Sequence, residues 1–281
     1  MEILTSSAQM QQASRQNRAA KKRIGFVPTM GALHEGHLAL VDVAKKHSDM
    51  VVMSIFVNPT QFGPGEDFDK YPRVFPQDSK MAEARGVNYL FHPSVEEIYP
   101  PGDQTTVVVT ELTRGLCGPF RPGHFRGVAT VVTKLFNIVE PDIAVFGEKD
   151  FQQLAMVRRM VQDLRMNIEI IGMSTLREPG GLAMSSRNQY LDEKERRDAE
   201  TIYAALQGAQ AQLKRGERSV AKLIKVGKEV LAAPGTIQVE YLEIVDPETL
   251  KPLEQVDRPA RILTAVRLNG KRLIDNSPLL P

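Results

Sequence analysis

The sequence predicts an α/β fold, a mostly parallel sheet flanked by helices, followed by a smaller α+β unit. Three observations carry that prediction. Short apolar runs alternate with stretches of helical period through residues 1–175. Runs such as 50–57 (MVVMSIFV) are apolar without a break, as strands covered on both faces require. Past a Pro/Gly break at 177–181 (REPGG) the order changes to helices followed by strands, which divides the chain into domains 1–175 and 176–281.

The first strand reads over 24–27 and ends at Pro28, after which Leu38, Val41 and Ala44 recur at helical spacing. The buried run 50–57 stops at Asn58-Pro59, and a helix around 77–85 leads to strand candidates at 87–91 and 105–110. Val128, Val131, Val132, Leu135, Phe136 and Val139 form one stripe of a helix over 127–140, which Pro141 breaks. A short buried strand follows at 143–146. Leu154, Val157, Val161 and Leu164 then mark a helix, and 168–172 the next strand. This repetition argues for right-handed crossovers. In the second unit Ala199, Ile202, Tyr203, Leu206 and Leu213 line one amphipathic helix, and Val220, Leu223, Ile224, Val230 and Leu231 another. Strand candidates at 237–245 and 260–268 close the chain.

Composition narrows the function classes. The chain has 281 residues, 42% hydrophobic and 25% charged, enough for a substantial core. Its 36 Lys+Arg against 34 Asp+Glu leave a net charge of +2, no global reason to expect a nucleic-acid partner. The basic group Arg15, Arg18, Lys21, Lys22 and Arg23 reads as a solvated helix face. No apolar run approaches the ~20 residues of a membrane span, and residues 1–23 lack a signal-peptide core. The lone Cys117 rules out an internal disulfide and fits a reducing compartment. A cytoplasmic protein is expected, with neither membrane nor nucleic acid as partner.

The densest chemical signal is 28–37 (PTMGALHEGH), where a strand end meets a helix start. Ligands of open α/β sheets bind at such strand ends. His34 and His37 share a helix face, and Gly31 and Gly36 let backbone approach a ligand closely. An imidazole there can donate to a phosphate oxygen as charge builds on it. Structural histidines, or a zinc pair lacking further ligands, are the competing readings. The Gly-rich loops G-x-x-x-x-G-K-[ST] and G-x-G-x-x-G are both absent.

Four further segments add polar groups. In 57–62 (VNPTQF), Asn58 and Gln61 offer amides suited to a small hydroxy- or amino acid, although Asn-Pro alone is a common turn. In 147–150 (GEKD), Lys149 can place a positive charge on phosphates. Asp150 can meet ribose hydroxyls, hold a metal or simply cap a helix. In 184–188 (MSSRN), two hydroxyls and a guanidinium would clamp a polyphosphate, or begin a surface helix. In 122–127 (PGHFRG), Arg126 is an anion contact or part of an entry loop.

Taken together, these segments resemble the pantoate–β-alanine ligases, the pantothenate synthetase family of the HIGH-type nucleotidylyltransferases. The resemblance runs through PTMGALHEGH from Pro28, SIFVNPTQF from Ser54, YPR from Tyr71 and RPGHFRG from Arg121. It continues through FGEKDFQQL from Phe146, AMSSRNQYL from Ala183 and RLIDN from Arg272. It implies a Rossmann-like, doubly wound α/β domain for nucleotide and pantoate, a smaller α+β C-terminal domain closing over ATP, and a homodimer. It also implies ATP- and magnesium-dependent joining of (R)-pantoate and β-alanine, yielding pantothenate, AMP and pyrophosphate.

By the same resemblance His34 and His37 are the HIGH-type histidines, with His37 the proton donor. Met30, Gly31, Ala32, Leu33, His34, Glu35, Gly36 and His37 form one ATP segment. Gly147, Glu148, Lys149 and Asp150 form a second, and Met184, Ser185, Ser186 and Arg187 a third. Leu176 holds adenine through its backbone, Gln61 touches both pantoate and β-alanine, and Gln153 touches pantoate. Pro179-Gly180-Gly181 departs from the family, where a charged or polar residue more often precedes Gly-Leu; this bears on loop movement and leaves the chemistry alone.

The chemistry fits. A carboxylate is a poor electrophile until its oxygen is transferred to the α-phosphate of ATP, after which an amine can displace AMP. Charge developing on the phosphates is where His34, His37, Lys149, Ser185, Ser186 and magnesium could act. A phosphate-adenylating relative, a fragment of an aminoacyl-tRNA synthetase and a non-catalytic nucleotide-binding regulator are the alternatives; the metal ligands are left open.

Overall fold

The computed structural model describes residues 1–281. They form two compact units, one of 1–110, 121–148 and 156–174, the other of 111–120, 149–155 and 175–281. Two short excursions of the N-terminal stretch thus belong with the second unit.

The first unit is an α/β sheet of six parallel strands in the order β1-β4-β3-β2-β5-β6. The strands are β1 (Glu2–Leu4), β2 (Ile24–Thr29), β3 (Met50–Ile55), β4 (Tyr89–Phe91), β5 (Ile143–Gly147) and β6 (Glu169–Met173). Helices α1 (Ser7–Ala19), α2 (Glu35–His47), α3 (Phe75–Arg85), α4 (Val95–Ile98), α5 (His124–Val139) and α6 (Phe151–Asp163) connect them. All six residues of β3 are buried, as its unbroken apolar run requires. Burying one such Val or Met contributes about 1.5–3 kcal/mol over leaving it exposed. Alternation sorts the two faces: Val27, Val51, Met53, Ile55, Ile143 and Val145 join Leu40, Val41 and Ala44 of α2 in one core. Phe26 and Phe146 point the other way, each edge-on to Phe136 of α5 at 6.3 and 6.4 Å.

Several bounds differ from the sequence reading for physical reasons. β2 runs through Pro28 to Thr29, in register with Ser54 and Ile55. β5 pairs with β2 only at Gly25 and Phe26, so a residue without an N–H forfeits no ladder bond at Pro28. The candidate strand 105–110 joins neither sheet; its Val107 N–H instead donates to Thr130 Oγ1 of α5 at 3.0 Å. β1 is too short to leave a pattern.

In the second unit, α7 (Glu193–Lys214) and α8 (Val220–Ala232) cover an antiparallel sheet of β7 (Ile237–Val245), β8 (Ala260–Leu268) and β9 (Lys271–Leu279). β7 and β8 have the expected bounds. β9 went unread because Asp275, Asn276 and Ser277 interrupt its apolar pattern, yet all three are buried. Cys117 is buried in this unit, 3.1 Å from the Tyr241 hydroxyl. No helix is long and apolar enough to cross a membrane.

Candidate active site

In the first unit, strand order reverses between β2 and β5, and the segment 30–34 leaves β2 at that switch point. Thr29 Oγ1 donates to Ser54 O at 2.7 Å and accepts from Gly31 N at 3.2 Å. Gly31 then turns with φ +81°, where a Cβ would lie 2.9 Å from Asp78 Oδ2. Asp78, 1% exposed, accepts from Ala32 N and Leu33 N at 2.8 Å each. Burial outweighs those two donors and raises its carboxyl above the usual range. Amides 31–33 therefore give the loop its shape. Nothing in the motif spelling marks Asp78, which lies 45 residues beyond Leu33.

This loop delivers two imidazoles to the start of α2. His34 is the N-cap; its Nδ1 accepts from Gly36 N at 3.1 Å, while His37 Nδ1 accepts from His34 N at 3.4 Å. The rings are 4.1 Å apart. A neutral imidazole that accepts at Nδ1 carries its proton on Nε2, so both rings are set as Nε2–H donors. Glu35 turns outward to Arg85.

Gln61 lies in a tight polar cluster of the same unit. Its Nε2 donates to Met30 Sδ at 2.9 Å, and its Oε1 accepts from Asn58 Nδ2 at 3.1 Å. Asn58, 1% exposed, also donates to Gly127 O and accepts from Thr60 and the Tyr99 hydroxyl. It organises the Gln61 turn, which corrects its reading as a ligand-facing amide. His124 Nδ1 lies 2.9 Å from Gln61 O, and its Nε2 lies 3.0 Å from Arg121. Arg121 grips Glu66 with two bonds of 2.8 and 2.6 Å. Burial raises the Glu66 carboxyl, but Arg121 outweighs burial and holds it below the usual range. Arg126 is exposed at the first turn of α5.

The second unit gathers Lys149, Asp150, Gln153, Leu176 and Met184 to Arg187. The first unit ends its own stretch at Gly147 and Glu148, so the GEKD motif straddles the boundary. Lys149 and Asp150 occupy a 3-10 turn after β5, with Nζ 3.9 Å from Oδ2. Gln153 is half-buried. Its neighbour Gln152 is committed to Cys117 N, Leu112 O and Gly115 O. Residues 176–184 form a hairpin, closed by Met184 N donating to Leu176 O at 2.9 Å and by the Arg177–Ala183 bridge. At its tip, a Cβ on Gly180 would meet the Glu200 carboxylate of α7, so a side chain there would have to displace that flexible group. Ser185 caps the turn Ser186–Tyr190 by accepting from Arg187 N at 3.3 Å.

Sequence reasoning missed the β9 network behind these groups. Asp275, 3% exposed, takes two bonds from Arg177, of 2.6 and 3.0 Å. Asn276, 2% exposed, donates from Nδ2 to Lys149 O at 2.9 Å and accepts from Arg261 Nε at 2.7 Å. The signal was present in the RLIDN motif, but only pairing with β8 turns it inward. No cluster of three or more His, Cys, Asp or Glu residues is placed to hold a metal ion.

The comparisons with known proteins agree along the whole length. The sequence profile of the pantoate-beta-alanine ligase family matches residues 2–278. A pantothenate synthetase of Thermotoga petrophila is 51% identical, over 99% of this chain and 100% of that one. The crystal structure of pantothenate synthetase from Thermus thermophilus is 47% identical, with a TM-score of 0.94 and full coverage of both chains. The pantoate-beta-alanine ligase of Francisella tularensis, solved with beta-gamma ATP and beta-alanine, is 35% identical. Its TM-score is 0.81, with 99% of this chain and 97% of that one covered.

Proposed function

The chain belongs to the pantoate-beta-alanine ligase family, enzymes of pantothenate biosynthesis, and from that premise we propose how it joins (R)-pantoate to β-alanine. ATP is its nucleotide substrate. A pantoate carboxylate oxygen attacks the α-phosphorus, the bond to pyrophosphate breaks, and pantoyl adenylate forms. The β-alanine amine then attacks the acyl carbon, and AMP leaves with the former carboxylate oxygen. The amine proton is released.

One observation carries the assignment of roles: the imidazoles of His34 and His37, 4.1 Å apart and both accepting at Nδ1, present Nε2–H groups at the start of α2. Two preorganised Nε2–H donors suit a phosphate gaining charge, and His37 acts as the proton donor from its imidazolium form, since a neutral imidazole does not give up its Nε2 proton. Met30 to His37, with Gly147 and Glu148, are ATP-binding residues. So are Lys149 and Asp150, Leu176 for adenine, and Met184, Ser185, Ser186 and Arg187 for the phosphates. Lys149, Ser185 and Ser186 act with the histidines in catalysis.

Gln61 holds pantoate and β-alanine, and Gln153 holds pantoate. Magnesium, where bound with ATP, would supply positive charge against the phosphates, and Asp150 is the carboxylate that would hold it. Water would hydrolyse the adenylate, which gives the C-terminal domain, 176–281, its purpose of closing over ATP. The enzyme works in the cytoplasm as a homodimer.

The test is exchange of labelled pyrophosphate into ATP. Exchange should require pantoate and proceed without β-alanine. Exchange that ignores pantoate would remove the adenylate from the scheme.

A further inference from the structure

We propose that Asp275 and Asn276 of β9 are positioning residues, setting Lys149 and the 176–187 segment for ATP; the proposal rests on the roles assigned above. The side-chain amide of Asn276 has one possible orientation. Lys149 O only accepts and Arg261 Nε only donates, so Nδ2 faces the first and Oδ1 the second. Arg261 is itself fixed, 8% exposed with its guanidinium 4.1 Å from the Phe151 ring centroid. Lys149 is therefore anchored at its own carbonyl by a buried strand 127 residues away.

Asp275 fixes the other segment. Arg177 reaches Asp275 with both terminal nitrogens, and also donates to Asn276 O at 3.3 Å and Gly181 O at 3.0 Å. Its guanidinium lies 3.7 Å over the Tyr203 ring. Arg177 sits between Leu176 and the turn that leads to Ser185, so its pose sets both. Asp275 Oδ1 further accepts from Asn276 N at 2.7 Å, joining the two anchors through consecutive residues. A buried ion pair of this kind is a poor source of stability, because desolvation offsets its attraction. What it does supply is a single geometry, and small misplacement of a catalytic group is costly in rate.

Positioning and plain structural support make different kinetic predictions. Asn276→Asp keeps the shape and the acceptor for Arg261 but has no donor for Lys149 O. Pantoate-dependent pyrophosphate exchange, normalised to titrated sites and run well below each variant's melting temperature, should fall about tenfold or more in kcat. KM for pantoate should stay within about twofold. In a Lys149→Ala background the same change should have almost no further effect, since it acts through Lys149. Arg177→Lys keeps the charge on Asp275 but cannot bridge Asp275, Asn276 and Gly181. It should raise KM for ATP about tenfold and, since the same segment carries Ser185 and Ser186, lower kcat as well; it carries the test if Asn276→Asp does not fold.

Wild-type exchange per site in Asn276→Asp, the same fall with and without Lys149, or an unchanged KM for ATP in Arg177→Lys would each overturn the proposal. Wild-type exchange in Lys149→Ala alone would instead overturn the role given to Lys149, and this proposal with it.

Discussion

The two units hold their functional groups by different means. In the first, one buried carboxylate shapes a contiguous motif through the backbone: Asp78 takes the amides of Ala32 and Leu33, and His34 and His37 follow from that turn. In the second, the groups are scattered over the chain and are held side chain to side chain. Arg177 reaches Asp275 across 98 residues, and Asn276 reaches Lys149 across 127. A backbone-shaped loop tolerates change in its side chains, whereas a side-chain network depends on each member. The histidine loop should therefore depend on the single carboxylate of Asp78, and the groups of the second unit on several distant side chains at once.

The largest expected effect breaks the comparison at its active ends. His37→Ala and Lys149→Ala should each lower pantoate-dependent pyrophosphate exchange by at least ~10², the usual scale for a lost acid–base or electrostatic group. A near-normal rate in either would take that unit's group out of adenylation. Next come the supports of the first unit. Asp78→Ala removes two buried acceptors and should cost about 2 kcal/mol or more, seen as a lower denaturant midpoint. Gly31→Ala forces a side chain into φ +81° against Asp78 and Ile55 and should cost about 1–2 kcal/mol. An unchanged midpoint in both would mean the loop is held some other way.

The smallest effect appears only on acidification and sharpens the contrast further. Glu195, at the start of α7, accepts from Lys271 Nζ and Asn269, which bring its pKa from 4.5 to about 2. A carboxyl lowered on folding contributes stability above its unfolded value, and loses it as pH falls through the folded one. The contribution of Glu195 should thus disappear between pH 4.5 and about 2, and Glu195→Gln should flatten stability across that window. Asp78 has the opposite sign: its raised pKa means its contribution declines as pH rises from 3.8. Acid titrations of Glu195→Gln and Asp78→Asn that shift in the same direction would contradict this.

Legibility in the sequence followed the same division. The parallel sheet was readable because buried strands such as β3 are apolar throughout. The strands β7 and β8 were readable from their β-branched alternation. The motif 28–37 announced its imidazoles because they are close in sequence as well as in space. β9 was not readable: Asp275, Asn276 and Ser277 are polar residues in a buried strand, and only their distant partners explain them. Residues 105–110 had the composition of a strand but not the place, since Thr130 supplies a side-chain acceptor for Val107 where a ladder would supply backbone. Asn58 had ligand chemistry in sequence but spends it on Gln61, Gly127, Thr60 and Tyr99.

The central claim is that the pantoate carboxylate is activated on the α-phosphate, and oxygen bookkeeping tests it most directly. Pantoate carrying oxygen-18 in its carboxylate would be ligated in a single turnover and the products weighed by mass spectrometry. Adenylation places one labelled oxygen in the phosphate of AMP and leaves pyrophosphate unlabelled. Label in pyrophosphate, or AMP without label, would contradict the account.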